Sequence, residues 1–132
     1  MTKARFEELV QEALGRIPLR FRKHLQNVAI LVEDEPSARL LREMEVGPPD
    51  TLFGLYHGTP LPSRPWDYGN TLPDTISLFQ RPIEDACDDD GEVVATIGET
   101  LIHEVGHYFG LSDEEIEAIE EEYWRHEDRR SH

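Results

Sequence analysis

Apolar residues recur with helical spacing at the start of the chain and then gather into a short run. In residues 2–14 the apolar positions fall three or four apart, as one face of a helix requires: Phe6, Leu9, Val10 and Leu14. Gly15 and Pro18 are expected to end this amphipathic helix. The next apolar run, NVAILVED (27–34), is rich in β-branched residues and predicts a buried strand.

The middle of the chain predicts one more short helix and two more strands. Ser37 introduces the helical pattern SARLLREM, which the Gly-Pro-Pro run at 47–49 closes. The segments TLFGLYHG (51–58) and DTISLFQ (74–80) have the composition of strands. Four prolines within residues 60–73 exclude a regular element between these strands. Trp66 and Tyr68 in that segment indicate a surface-packed loop, and loops of such length are commonly functional.

The last third of the chain predicts two helices separated by a glycine. A loop, PIEDACDDDG (82–91), precedes a long helix that begins near Gly91 and is expected to end at Gly110. The segment SDEEIEAIEEEYWRHE (112–127) predicts a second helix. Its inward face is expected to carry Ile116, Ile119 and Tyr123.

The residues HEVGHYFGLSD (103–113) carry the clearest chemical signal in the chain. On a helix, His103 and His107 lie one turn apart on one face, so both imidazoles can reach one metal ion. Zinc is the metal that this spacing favours, and it lowers the pKa of a water it binds to about 7. Glu104 flanks the metal and can accept a proton from that water. The alternative is a pair of exposed or core histidines without a ligand role.

A catalytic zinc site needs a third protein ligand and an open position. Gly110 allows the chain to reverse after the helix, which brings Asp113 toward His107. Asp113 also has a structural interpretation, because Ser112 and Glu115 form a capping box and an acid suits the first helical turn. Glu127 on the following helix is a rival third ligand. The helix break at Gly110 favours Asp113.

Charge and composition exclude several classes of function. The formal net charge is −15, and residues 84–128 hold seventeen Asp and Glu against the single Arg125, so a nucleic-acid partner is not expected. These acids either solvate two helices or attract cationic substrates. No apolar run is long enough to cross a membrane. The one cysteine, Cys87, predicts a reducing cytoplasm, and in its acidic loop it is a poor nucleophile.

Four aromatic or histidine side chains are weaker candidates. His57 and Tyr68 are candidates for stabilising an oxyanion or contacting substrate, whereas Tyr56 and Tyr108 are expected to be core aromatics. An extended peptide substrate is expected to pair with a sheet edge, for which residues 52–57 or 75–79 are the candidates.

Three segments together resemble the small bacterial zincin-like metallopeptidases, a family of minimal metalloproteases with a metzincin-type motif: LFGLYHGTPLPSR, LPDTISLFQRPIE and LIHEVGHYFGLSDEEI. The resemblance covers most of the chain, from residue 2 to residue 125. It implies an α/β (α+β) fold with a small mixed β-sheet, an active-site helix and a C-terminal helix. By position, it implies zinc ligation by His103, His107 and Asp113, with Glu104 as the base.

Two functions from different classes follow from these patterns, and a third, less favoured one is a zinc hydrolase that acts on a non-peptide amide. The first is a monomeric, zinc-dependent cytoplasmic metallopeptidase that forms a single domain over residues 1–132. It would hydrolyse peptide bonds of a peptide or protein substrate through a zinc-bound water that Glu104 activates. The alternative is a non-catalytic module that binds zinc or a peptide. No methionine follows the motif, since the only two are Met1 and Met44, so the methionine turn of larger metzincins is absent. Retention of Glu104 favours catalysis.

Overall fold

A three-stranded sheet and two long helices organise the structure. The computed structural model describes residues 1–48, 50–58 and 74–130, with side chains through residue 125. The α-helices of this part are α1 (Lys3–Arg16), α2 (Leu19–Arg22), α3 (Ala38–Glu43), α4 (Gln80–Asp85), α5 (Asp90–Tyr108) and α6 (Asp113–Arg130). The strands are β1 (Val28–Glu33), β2 (Gly54–His57) and β3 (Asp74–Phe79), and a 3-10 helix spans Lys23–Leu25.

The sheet is mixed, with strand order β1-β3-β2. The central strand β3 is parallel to β1, with Ile30 opposite Ile76, and antiparallel to β2, with Tyr56 opposite Ile76. This small mixed sheet with helices confirms the predicted α+β class. The expectation that β1 would be buried is wrong, since Leu31 is 47% exposed. Successive side chains of a strand point to opposite faces, so Ile30 and Val32 pack against the core while Leu31 faces the other way. Within the described residues, β1 pairs with β3 alone.

The helices α1, α5 and α6 enclose the hydrophobic core together with β3. Three of the four residues predicted for the buried face of α1 are buried, whereas Leu14 is partly buried and Ala13 takes the fourth place. The helix continues through Gly15 to Arg16 before Ile17 leaves the helical conformation. The Thr2 hydroxyl caps α1 by accepting from the backbone N–H of Arg5 at 3.0 Å. In α5, eight residues are buried, so α5 is the element around which the others pack.

The segment after β3 is helical, where a loop was expected. Helix α4 spans Gln80–Asp85, and its proline, Pro82, stands in the first turn. A first-turn proline costs no helical hydrogen bond, because the N–H groups there have no partner within the helix. Ile83 is fully buried in the core. This tertiary contact stabilises a helix that the Pro- and Asp-rich sequence disfavours.

Helices α5 and α6 pack antiparallel, and two glycines of α5 set how they approach each other. A Cβ at Gly106 would lie 2.9 Å from Ile116 Cγ1, and a Cβ at Gly98 would overlap the Tyr123 ring. The Tyr123 hydroxyl donates to the carbonyl of Val94 at 2.5 Å. The absence of side chains at these glycines therefore lets α6 lie close against α5, and the two contacts fix the register between the helices.

Replacing Gly98 by alanine is expected to destabilise the protein by about 1–3 kcal/mol, because the added methyl overpacks the buried Tyr123 ring. The matched control is Gly15→Ala in α1. At Gly15 an added Cβ meets nothing within 4 Å, and the helix gains up to about 1 kcal/mol. Urea unfolding of both variants measures the difference. Equal midpoints for the two variants would contradict the close packing of α5 and α6.

Some sequence-based expectations fall on parts of the chain that the structure does not describe. The proline-rich segment with Trp66 and Tyr68 lies outside the described residues, and so does the side chain of Glu127. Among the helices that are described, none has both the length and the apolar character that a membrane span requires.

Candidate active site

Helix α5 presents His103 and His107 on one exposed strip near its carboxyl end. The rings of His103 and His107 are adjacent, with centroids 5.3 Å apart and planes at 89°. Both side chains are 51% exposed, although Ile102 and Val105 beside them are fully buried. The buried neighbours anchor the helix, and the two imidazoles lie on one shared face, as four-residue spacing predicts.

Gly110 ends α5 by a Schellman motif, which confirms the predicted helix end. Its φ is +76°, a value in the left-handed region that glycine adopts without strain. The N–H of Gly110 donates to the carbonyl of His107 at 3.0 Å, and the N–H of Leu111 donates to that of Gly106 at 2.9 Å. The chain therefore reverses within three residues of His107 and enters α6.

At the start of α6, Ser112 and Glu115 form the cap, and Asp113 takes no part in it. The Ser112 hydroxyl accepts from the N–H of Glu115 at 3.1 Å, and the Glu115 carboxylate accepts from the N–H of Ser112 at 3.1 Å. This reciprocal pair confirms the predicted capping box. Asp113 itself is 89% exposed, and its Oδ1 lies 3.4 Å from His107 Nε2. Because Ser112 caps the helix, the Asp113 carboxylate is available on the histidine side.

The side chain of Glu104, on α5, lies against strand β2 of the sheet. At Gly54 a Cβ would come within 2.7 Å of Thr100 Cγ2, so β2 lies close over α5. The backbone N–H of Tyr56 in β2 donates to the Glu104 carboxylate. Partial burial raises the pKa of the Glu104 carboxyl above its usual value, while that hydrogen bond and the charges of His107 and His103 act in the opposite direction. A raised pKa suits a carboxylate that must pick up a proton.

Glu120, on α6, contacts the other side of the motif, and sequence reasoning missed it. Its Oε1 lies 2.5 Å from His103 Nδ1, and the residue is only 8% exposed. The signal was present in the sequence. Glu120 falls on the apolar stripe of α6 between Ile119 and Tyr123, where a charged residue is unusual.

The donor set fits a divalent metal of the zinc type, although the described side chains do not form a finished cluster. Among the described residues, no three His, Cys, Asp or Glu side chains converge on a common point. His103 and His107 are nevertheless neighbours, and Asp113 already contacts His107. The His103 and His107 side chains are half exposed and that of Asp113 is almost fully exposed, so solvent and a metal ion have access to all three. Two histidines with one acid are a known donor set of catalytic zinc.

Glu127 is poorly placed for the same role. Helix α6 runs antiparallel to α5, with Glu120 beside His103. Seven further residues carry the backbone about 10 Å along the axis at 1.5 Å per residue. Position 127 in α6 therefore lies well beyond the level of the two histidines.

The remaining aromatic and histidine candidates have mixed outcomes. His57 is exposed at the end of β2. The Tyr56 hydroxyl donates to the buried Asp74 carboxylate at 2.7 Å, and the Tyr56 ring stacks on Tyr108 with centroids 4.0 Å apart. The expectation that Tyr108 would be a core residue is wrong, since it is 47% exposed. Its ring lies toward β2, where it stacks on Tyr56.

A shallow cavity and a strand edge lie beside Glu104. The cavity has a volume of about 270 Å³ and is lined by Phe53, Gly54, Glu99, Thr100, His103 and Glu104. Strand β3 is central, which rules out residues 75–79 as a free edge. Within the described residues, β2 pairs with β3 alone, so residues 52–57 are the remaining candidate for pairing with an extended peptide.

Comparison with known proteins agrees with this geometry. A model of the zincin-like metallopeptidase family matches residues 25–123, which is more than half of the chain and includes the whole motif. No curated protein matches the chain.

Among solved structures, the chain is similar to a conserved hypothetical protein from a thermophilic bacterium, T. thermophilus. The TM-score is 0.54 at 22% sequence identity, and the match covers 82% of this chain and 94% of the other. At this identity the likeness supports the fold alone.

Proposed function

Because the chain belongs to the zincin-like metallopeptidase family, we propose that it is a zinc-dependent peptidase. His103, His107 and Asp113 hold the metal in this proposal, and Glu104 is the catalytic base. The observation that carries the proposal is the placement of Asp113 Oδ1 3.4 Å from His107 Nε2 by the turn at Gly110. That turn adds a carboxylate to two adjacent imidazoles, and the proposal expects the open coordination position on the side of Glu104.

The chemistry divides between the metal and the residues of this chain. When bound, zinc would polarise the scissile carbonyl and acidify the attacking water. Glu104 accepts a proton from that water and returns it to the leaving amine as the C–N bond breaks. The Tyr56 N–H orients the Glu104 carboxylate, and partial burial raises its pKa, which suits a group that accepts a proton.

The substrate is a peptide or protein segment in extended form. The edge of β2 passes beside Glu104, because Tyr56 of that strand bonds to the carboxylate. A peptide that pairs with residues 52–57 lies over the cavity next to His103 and Glu104. The main-chain pairing would supply affinity with little demand on the sequence of the substrate.

A module that binds zinc or a peptide without hydrolysis is the alternative. It is supported by the absence of a methionine after the motif and by the shallow cavity. A binding module has no need for the half-buried carboxylate of Glu104, which a strand N–H holds in place. Burying a carboxylate is costly, and this one is not needed to bind metal. The geometry of Glu104 therefore favours the peptidase.

Asp113→Ala is expected to weaken zinc binding far more than Glu127→Ala does. Asp113 contacts His107, whereas position 127 lies beyond the level of the motif. Titration of each metal-free variant against a chromophoric zinc chelator measures both affinities. Circular dichroism checks helix content, since Asp113 also stands in the first turn of α6. Parent-like affinity in Asp113→Ala with loss in Glu127→Ala would reverse the assignment.

A quenched fluorescent peptide library tests the proposed activity. Cleavage is expected from the purified protein, with loss on adding a chelator and recovery on returning zinc. Full zinc occupancy without any cleavage across the library would favour the binding module instead.

The setting of the proposed enzyme follows from its composition. A lone Cys87 suits a reducing cytoplasm, and a net charge of −15 disfavours nucleic acid as a partner. On this basis we propose that the enzyme acts on peptides in the cytoplasm.

A further inference from the structure

Glu120 has a position that the proposed mechanism leaves unexplained. It is 8% exposed, and its Oε1 lies 2.5 Å from Nδ1 of His103 across the α5–α6 interface. That oxygen is buried and has no hydrogen bond of good geometry within the described residues, so the His103 ring is the nearest group that can satisfy it. Burying a carboxylate is costly unless a charged or hydrogen-bonding partner offsets the lost hydration. The contact with His103 is therefore a specific feature of this interface.

The packing of α6 on α5 explains why Glu120 meets His103. Gly106 lies against Ile116 on one side of the contact, and Gly98 lies against Tyr123 on the other. His103 falls between the two glycines, just as Glu120 falls between their partners. Trp124 Nε1 also donates to Glu99 at 2.9 Å in the same register. Close packing on both sides leaves the Glu120 carboxylate little freedom to turn away.

We propose that Glu120 is a positioning residue that holds His103 in the Nδ1–H tautomer, with Nε2 directed toward the metal. This inference rests on the proposed function and extends it to a residue outside the motif. A neutral imidazole carries one N–H, so a carboxylate acceptor at Nδ1 leaves Nε2 as the free lone pair. Carboxylates that fix a metal-binding histidine in this way also increase its basicity.

His107 is held differently, which makes the two histidines distinguishable. Its Nε2 contacts the exposed Asp113 rather than a buried acid. Only His103 is fixed from within the helix pair, so His103 serves as the preorganised ligand. His107 and Asp113 then adjust to the ion by rotation of exposed side chains.

Zinc affinity of Glu120→Gln tests the inference, with Glu121→Gln as the matched control. Glu121 is exposed on the same helix, and its replacement removes the same charge. The glutamine amide at position 120 can donate to Nδ1, which favours the wrong tautomer. We expect zinc affinity to fall about 10–100-fold in Glu120→Gln and to stay unchanged in Glu121→Gln. Parent-like affinity in Glu120→Gln would overturn the inference.

A double-variant cycle separates positioning from a general structural effect. In the His103→Ala background, Glu120→Gln is expected to cause no further loss of zinc affinity, because the imidazole that Glu120 positions has already been removed. An equal loss in both backgrounds would overturn the inference. It would mean that Glu120 either binds zinc directly or acts only on the fold.

Nitrogen-15 NMR of the metal-free protein gives a readout that does not depend on zinc or turnover. The His103 ring is expected to be the Nδ1–H tautomer in the parent and to lose that preference in Glu120→Ala. An unchanged tautomer would overturn the inference. A parent that binds no zinc, or binds it without cleaving peptides, would refute the proposed function while the NMR comparison still decides the role of Glu120.

Discussion

Glu104→Gln is expected to lower peptide hydrolysis by at least about 10²–10⁴-fold while zinc stays bound. The amide has nearly the same shape as the carboxylate and can still accept from the Tyr56 N–H, but it cannot take a proton from water. The carboxylate is also not among the three expected ligands. The measurements are kcat/KM on a peptide identified from the library and zinc content of the same sample.

Glu7→Gln in α1 is the matched control for this experiment. It removes one exposed carboxylate from a different helix, so any general effect of net charge appears in both variants. Parent-like turnover in Glu104→Gln would show that another group is the base. Loss of zinc together with activity would instead make Glu104 a ligand.

His107→Ala is expected to weaken zinc binding by more than the roughly 100-fold that losing an outer-shell partner costs. His107 is the histidine that adjoins both His103 and Asp113, so its removal leaves no two donors in contact. Hydrolysis is expected to disappear with the metal. Elemental analysis and chelator titration measure the loss.

His24→Ala serves as the control for a missing imidazole. The His24 ring packs on Phe21 and Phe109 and has no place in the expected ligand set. The His24→Ala variant should retain about one zinc per chain. If His107→Ala also retained stoichiometric zinc, the metal would lie elsewhere in the molecule.

Features fixed by local chemistry could be predicted from the sequence. The end of α5 at Gly110 depends on one residue with a positive φ, and the capping box depends on Ser112 and Glu115 alone. The strip of His103 and His107 follows from helix periodicity. These signals act within a few residues, so no knowledge of the fold was needed to read them.

Features that depend on distant partners could not be predicted. Helix α4 exists because Ile83 is buried in the core, and the edge position of β1 depends on how the strands are ordered. Tyr108 is 47% exposed and stacks on Tyr56, a contact that depends on how β2 lies against α5. Glu120 required the register between α5 and α6, which two glycines set through contacts with Ile116 and Tyr123.

A crystal structure of the zinc-loaded protein, with the metal located by its anomalous scattering, tests the central claim most directly. The account predicts one zinc bound by nitrogens of His103 and His107 at about 2.0–2.1 Å and by an oxygen of Asp113 at about 2.0–2.2 Å. The coordination position facing Glu104 should be free of protein ligands. Zinc at another site, or zinc enclosed by a fourth protein ligand such as Glu120, would contradict it.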